Sequence, residues 1–177
     1  LSRPVNDVDV ATSAMPEEVK AVFKKTVDIG IEHGTVLVLD KGEPVEVTTY
    51  RTDGEYADHR RPDGVTFVRS LEEDLKRRDF TMNAIAMDAN EHIIDLYGGQ
   101  QDIAQKTIRA VGNPSARFSE DALRMLRAVR FSAQLGFMIE QATLEAIKEH
   151  AQEISFVAIE RIAAEFEKML ISPSVKR

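Results

Sequence analysis

Asp7-Val8-Asp9-Val10-Ala11-Thr12-Ser13-Ala14 opens with valines alternating with acids, the period of a half-buried strand. Residues two apart on a strand share a face, so Asp7 and Asp9 are expected to converge while Val8 turns into the core behind them. Two oxygen ligands on one strand face suit Mg2+, which is typically held by one or two carboxylates plus substrate phosphates. A solvated pair on an edge strand has the same spelling, and the bare pattern does not separate the two.

The surroundings of this stretch read as mixed α/β. Pro16 opens an acidic-first helix to about Phe23. Thr35 to Asp40 and Pro44 to Arg51 are β-rich runs joined through Lys41-Gly42-Glu43, a hairpin signal, so two or three antiparallel strands are expected around the acidic pair. Glu46, between Val45 and Val47, is either a third carboxylate for the pair or an outward-facing polar residue of an antiparallel sheet. The polar stretch from Thr52 to Arg69 is too long for a simple turn and reads as a functional loop with a flexible tip. Ser70 and Glu73 form a capping box that starts a helix through Arg78. There Lys76-Arg77-Arg78-Asp79-Phe80 is either a solvated basic helix end, favoured by the dipole, or a phosphate-binding Arg78 oriented by its acidic neighbour. Ala84 to Met87 and Ile93 to Leu96 read as short strands. Gly98-Gly99 then breaks the chain before a brief helix and a strand from Ile108 to Val111.

Beyond residue 112 the pattern turns helical. Ser119 reads as a helix cap with Phe118 stapled onto Leu123, and Gly136 ends that helix. Two more helices follow, about Glu140 to His150 and Phe156 to Leu170. The fold class is therefore α+β: a head over residues 1–112 with a mixed or antiparallel sheet and helices, then an all-helical part over 113–177. Within the first helix of that part, Glu120, Asp121, Arg124, Arg127 and Arg130 recur at threefold spacing along one face, with Leu123, Leu126 and Val129 toward the core. A surface salt-bridge ladder has this spelling. So does a base-reading face: cytosine and adenine both present an amine beside an unprotonated ring nitrogen, which an Asp acceptor and an Arg donor match. Uracil and guanine present a carbonyl beside an N–H, which they reject.

Composition sets the bounds. The 177 residues, 43% hydrophobic and 30% charged, belong to an ordinary globular chain with a core to bury. Cysteine is absent, so disulfides and thiolate metal sites are excluded and a metal must rely on oxygen or the four histidines. There is no apolar run of spanning length and no signal-peptide pattern, so no membrane is expected and the cytoplasm is the default. The net charge of −7 lends nucleic-acid binding no support. A start at Leu1 rather than Met reads as a fragment.

Four motifs in order resemble the class II CCA-adding enzyme and bacterial poly(A) polymerase family over almost the whole chain. Asp7-Val8-Asp9 with Val-Ala-Thr-Ser-Ala is similar to its metal motif on a polymerase-β-type nucleotidyltransferase head, and Arg77-Arg78-Asp79-Phe80-Thr81-Met82-Asn83-Ala84 to its ribose and phosphate motif. Asp95-Leu96-Tyr97-Gly98-Gly99 is similar to the head-to-neck connector, and Glu120-Asp121-Ala122-Leu123-Arg124 to the neck motif whose Asp and Arg template the incoming base. The resemblance implies Mg2+-dependent, template-independent addition of C, C and A to the 3′ end of tRNA from CTP and ATP. Asp7, Asp9 and Glu46 would be catalytic, with the metal on Asp7 and Asp9. Arg78, Asp121, Arg124, Arg127 and Arg130 would bind nucleotide. Poly(A) polymerase, which adds A to RNA ends, and a non-catalytic RNA-binding module of the same fold are the alternatives. Ala122, where poly(A) polymerases tend to have proline, and the long loop from Thr52 both resemble the CCA-adding branch. The family's Gly-Gly-x-Val-Arg-Asp segment and its tRNA-gripping domains have no counterpart in these residues, so an incomplete head plus neck is expected.

Overall fold

The computed structural model of the chain describes residues 8–40, 43–54 and 64–172. They fall into two compact units, 8–54 with 64–77 and 78–172. Compactness thus divides the chain between Arg77 and Arg78.

The first unit is built on four strands: β1 (Asp9–Thr12), β2 (Thr26–Gly30), β3 (Thr35–Asp40) and β4 (Glu43–Thr49), with helix α1 (Pro16–Val22) between the first two. Their order is β1-β4-β3-β2. β2, β3 and β4 run antiparallel, as the hairpin signal implies, but β1 pairs with β4 in parallel, since α1, β2 and β3 all intervene before the chain returns beside it. Val19 of α1 packs on Val36, Val38 and Val47 and closes one face of the sheet. Val8 does not join this core. It is 65% exposed, since β1 is an edge strand and Val8 precedes its first paired residue. The polar stretch after Thr52 starts and ends as a hairpin, β5 (Arg51–Asp53) against β6 (Val65–Phe67). The expected flexible tip and the Lys41-Gly42 turn lie outside the described residues. Ser70 accepts a hydrogen bond from the Glu73 amide at 3.4 Å and starts α2 (Leu71–Lys76), which ends with Arg77 paired to Asp74 at 2.7 Å.

The second unit begins with the antiparallel pair β7 (Ile85–Met87) and β8 (Ile93–Asp95), followed by α3 (Gly99–Ala104) and β9 (Thr107–Ile108). Gly98 turns the chain with φ +75°, and a Cβ at Gly99 would come within 2.2 Å of the Thr81 carbonyl oxygen, so the two glycines answer to backbone conformation and close approach respectively.

Helices α4 (Pro114–Glu120), α5 (Leu123–Leu135), α6 (Gln141–His150) and α7 (Ile159–Leu170) complete the unit. One helix expected from Ser119 is two in fact. Asn113 caps α4 by accepting from the Ala116 amide at 3.1 Å, Pro114 takes the first helical position, and Ser119 sits in the last turn. Asp121 then leaves helical geometry, and its Oδ1 accepts from the Leu123 amide at 3.1 Å as α5 begins. Gly136 ends α5 with φ +70°, as expected. It leads into β10 (Met138–Ile139), which pairs in parallel with β9, so residues 113–177 are not purely helical.

Two apolar clusters hold the unit. Phe118, Leu123, Met125, Ala146 and Val157 form one; Phe80, Ile108, Ala128 and Phe137 form the other, with Phe80 and Phe131 edge-to-face at 5.9 Å. On α5 the expected faces are partly exchanged: Val129 is 38% exposed, whereas Arg124 and Arg130 are each 8% exposed. The α5 face carrying the arginines meets counter-charges from other elements, so charge pairing and not hydropathy decides what is buried there.

Candidate functional site

In the first unit, strand pairing assembles a single row of side chains on the face opposite Val19. Asp9 is the partner of Glu46, Glu46 of Leu37, and Leu37 of Val27. Partnered residues on neighbouring strands share a face at about 4.8 Å spacing. Asp9 and Glu46 are therefore adjacent, and both are exposed. The backbones of both are paired in the sheet, but among the described residues neither carboxylate takes part in a hydrogen bond or ion pair. Two adjacent carboxylates on one exposed strand face are a donor set that fits a hard divalent cation. Asp7 lies outside the described residues, and among those described no three acidic or histidine side chains gather to hold a metal.

In the second unit, Arg78 is half-buried and is followed by Asp79, whose carboxylate serves a different arginine from the one expected. Asp79 Oδ1 accepts from its neighbour's amide at Phe80 (2.8 Å) and from Asn83 Nδ2 (3.0 Å), while Oδ2 accepts from Arg127 Nε at 2.7 Å. Arg127 also lies over the Phe131 ring at 5.3 Å. The Arg78-Asp79-Phe80 motif and the arginine face of α5 are thereby fastened together.

Asp121 and Arg124 stand where α4 hands over to α5, each engaged by a separate counter-charge. Asp121 Oδ2 accepts from Arg161 Nη2 at 2.8 Å. Arg124 Nη1 donates to Glu120 Oε2 at 2.6 Å and to the Arg117 carbonyl at 3.2 Å. The pair thus offers an oriented acceptor and an oriented donor one turn apart, which is the requirement for reading an amine beside a ring nitrogen. Arg130 is placed differently from the others: its Nε donates to the buried Glu165, its Nη1 to Gln134 at 2.6 Å, and its guanidinium lies 4.0 Å from the Phe131 ring centroid.

Asp95, from the third motif, caps α3. Burial works to raise its pKa, but amide donors at Gln100 and Gly99, each 2.8 Å away, outweigh it and hold the carboxyl below its ordinary value.

Sequence reasoning missed the counter-charges: Arg161 for Asp121 and Glu165 for Arg130, both on α7. Their spacing was a usable signal, since opposite charges four apart sit on one helix face. Glu120, within the same motif, is the partner of Arg124 four residues on.

Three comparisons bear on this arrangement. Residues 1–109 match the poly A polymerase head domain, and residues 136–177 match the probable RNA and SrmB-binding site of polymerase A. The chain is 61% identical over 171 residues to the CCA-adding enzyme of Leuconostoc citreum (strain KM20), an alignment covering 97% of this chain and 42% of that protein. It superposes with TM-score 0.89 and 54% identity on a crystal structure of the Bacillus stearothermophilus CCA-adding enzyme in complex with CTP, covering 97% of this chain and 41% of that one. It also superposes, with TM-score 0.77 and 26% identity, on a tRNA nucleotidyltransferase complexed with a primer tRNA and an incoming ATP analog, covering 98% of this chain and 50% of that one. The chain spans less than half the length of the curated relative it matches.

Proposed function

Because this chain belongs to the poly A polymerase head-domain family that includes the CCA-adding enzymes, we propose that it carries the catalytic and base-selecting part of a tRNA nucleotidyltransferase that adds C, C and A to tRNA 3′ ends. The substrates are CTP, ATP and tRNA, the cofactor is Mg2+, and the compartment is the cytoplasm. The functional division is a head over residues 1–112 and a neck over 113–177, in keeping with family matches that fall on either side of it.

Asp7 and Asp9 are the residues assigned to the cation, with Glu46 a further catalytic carboxylate beside Asp9. Asp7 and Asp9 would hold Mg2+, and the chemistry it would supply there is activation of the tRNA 3′-hydroxyl and charge neutralisation at the departing pyrophosphate. The remaining work is positioning. Arg78 and Arg127 bring positive charge to the nucleotide phosphates, with Arg127 oriented by Asp79. Asp121 accepts from the exocyclic amine of C or A and Arg124 donates to the adjacent ring nitrogen; the same two groups repel the carbonyl and N–H of U and G. Arg130, engaged by Glu165 and Gln134, supports this face by holding α5 against α7.

The observation that carries the proposal is the Asp121–Arg124 arrangement, an acceptor and a donor that are each paired elsewhere and not with each other. Its test is kcat/KM for CTP, ATP, UTP and GTP in the full-length protein with Asp121→Ala. The expected result is a loss of ~1–3 kcal/mol of discrimination, with UTP or GTP entering the product. Equal slowing of all four nucleotides, with C and A still favoured, would place base choice elsewhere.

A further inference from the structure

Arg161 lies on α7, 40 positions from Asp121 in sequence, yet its Nη2 meets Asp121 Oδ2 at 2.8 Å. The opposite oxygen of Asp121 accepts from the Leu123 amide at 3.1 Å. The carboxylate is therefore pinned from both ends, with lone pairs still available, since an ionised carboxylate offers about four acceptor positions. Arg124 receives the mirror treatment from Glu120 and the Arg117 carbonyl.

The chemistry shows why such pinning matters. Asp121 stands just ahead of α5 and Arg124 in its first turn, so these opposite charges, three positions apart, are near enough along the chain to attract each other. If Asp121 and Arg124 closed on each other, acceptor and donor would cancel and neither would face a base. Counter-charges on other side chains prevent this: Arg161 draws Asp121 one way and Glu120 draws Arg124 another. Glu165, four residues beyond Arg161 on α7, holds Arg130 in the same fashion, so α7 presents a cation to Asp121 just ahead of α5 and an anion to Arg130 on α5.

We propose that Arg161 is a positioning residue for nucleotide selection: it keeps Asp121 open to the exocyclic amine of the incoming base by preventing the Asp121–Arg124 ion pair. This rests on the function proposed above. Without Arg161, Asp121 collapses onto Arg124, and the preference for C and A weakens while the chemistry of transfer remains.

The test uses the full-length protein, tRNA lacking its CCA end, and kcat/KM for each of the four triphosphates. The parent sets the baseline: if it does not prefer CTP and ATP, the function proposal fails before Arg161 is at issue. Given that preference, Arg161→Ala is expected to lower the ratio of CTP or ATP over UTP and GTP by about tenfold, and Arg161→Lys, which retains a cation, to recover part of it. Ile162→Ala, a packing change one residue along α7, lowers the melting temperature without changing the ratio and so separates support of the helix from positioning. If Arg161→Ala does not fold, Arg161→Gln carries the same comparison. An unchanged ratio in the folded variants, whether the rates fall uniformly or not at all, overturns the proposal.

Discussion

Asp9 and Glu46 are direct partners across the parallel β1–β4 pairing, side by side on the sheet face turned away from α1. Both side chains are exposed and neither belongs to the core under α1, so their removal tests chemistry without disturbing that core. In the full-length protein Asp9→Asn is expected to reduce transfer by more than the ~100-fold that loss of an outer-sphere metal partner costs. Glu46→Gln should reduce transfer less, and both variants should melt within about 2 °C of the parent. A Glu46→Gln enzyme with parental rate and Mg2+ dependence would make Glu46 an ordinary outward strand position.

Gly99 is the second test, directed at the fold. Its missing side chain admits the Thr81 carbonyl and Ile85, so Gly99→Ala must displace backbone. A loss of roughly 1–3 kcal/mol is expected, read as a lower midpoint in urea at unchanged slope. Parental stability would mean that the close approach relaxes freely.

The Arg130–Glu165 pair gives an asymmetric prediction. Arg130→Ala leaves Glu165, 5% exposed, with Arg127 and Lys168 only at 3.9 Å, and should cost about 3 kcal/mol. Replacing both partners by apolar residues, as in Arg130→Met with Glu165→Leu, should restore most of that. If the single variant is as stable as the parent, the pair does not hold α5 to α7.

Acid sensitivity follows from Asp95. Its pKa is lowered in the folded state, so the stabilisation it gives is present above its ordinary value of 3.8 and is lost as pH falls through the lower folded value. Asp95→Asn should therefore flatten the fall in stability below pH 3.8, measured as melting temperature against pH. An identical acid limb in parent and variant would show that other carboxylates dominate it.

Much of this was legible in the sequence wherever a local rule decides the outcome. The β3–β4 hairpin, the Ser70 cap and the Gly136 stop follow from alternation, a hydroxyl before an acidic turn, and a residue suited to positive φ. Two of the misses share a cause: each depends on a partner distant in sequence. Val8 reads as core by alternation, but only sheet order reveals that β1 is an edge. Arg130 reads by spacing as part of a polar face turned from the core, but it pairs with Glu165, 35 residues away, and both are buried. A third miss is local: Ser119 reads as a cap, but Asn113, with Pro114 at the first helical position, starts the helix earlier in the chain.

The most direct test of the whole account is to incubate the full-length protein with Mg2+, CTP, ATP and tRNA lacking its 3′ CCA, and to sequence the product ends. The account predicts addition of C, C and A in that order and then arrest. A homopolymeric A tail, or ends left unextended while the protein still binds RNA, would contradict it.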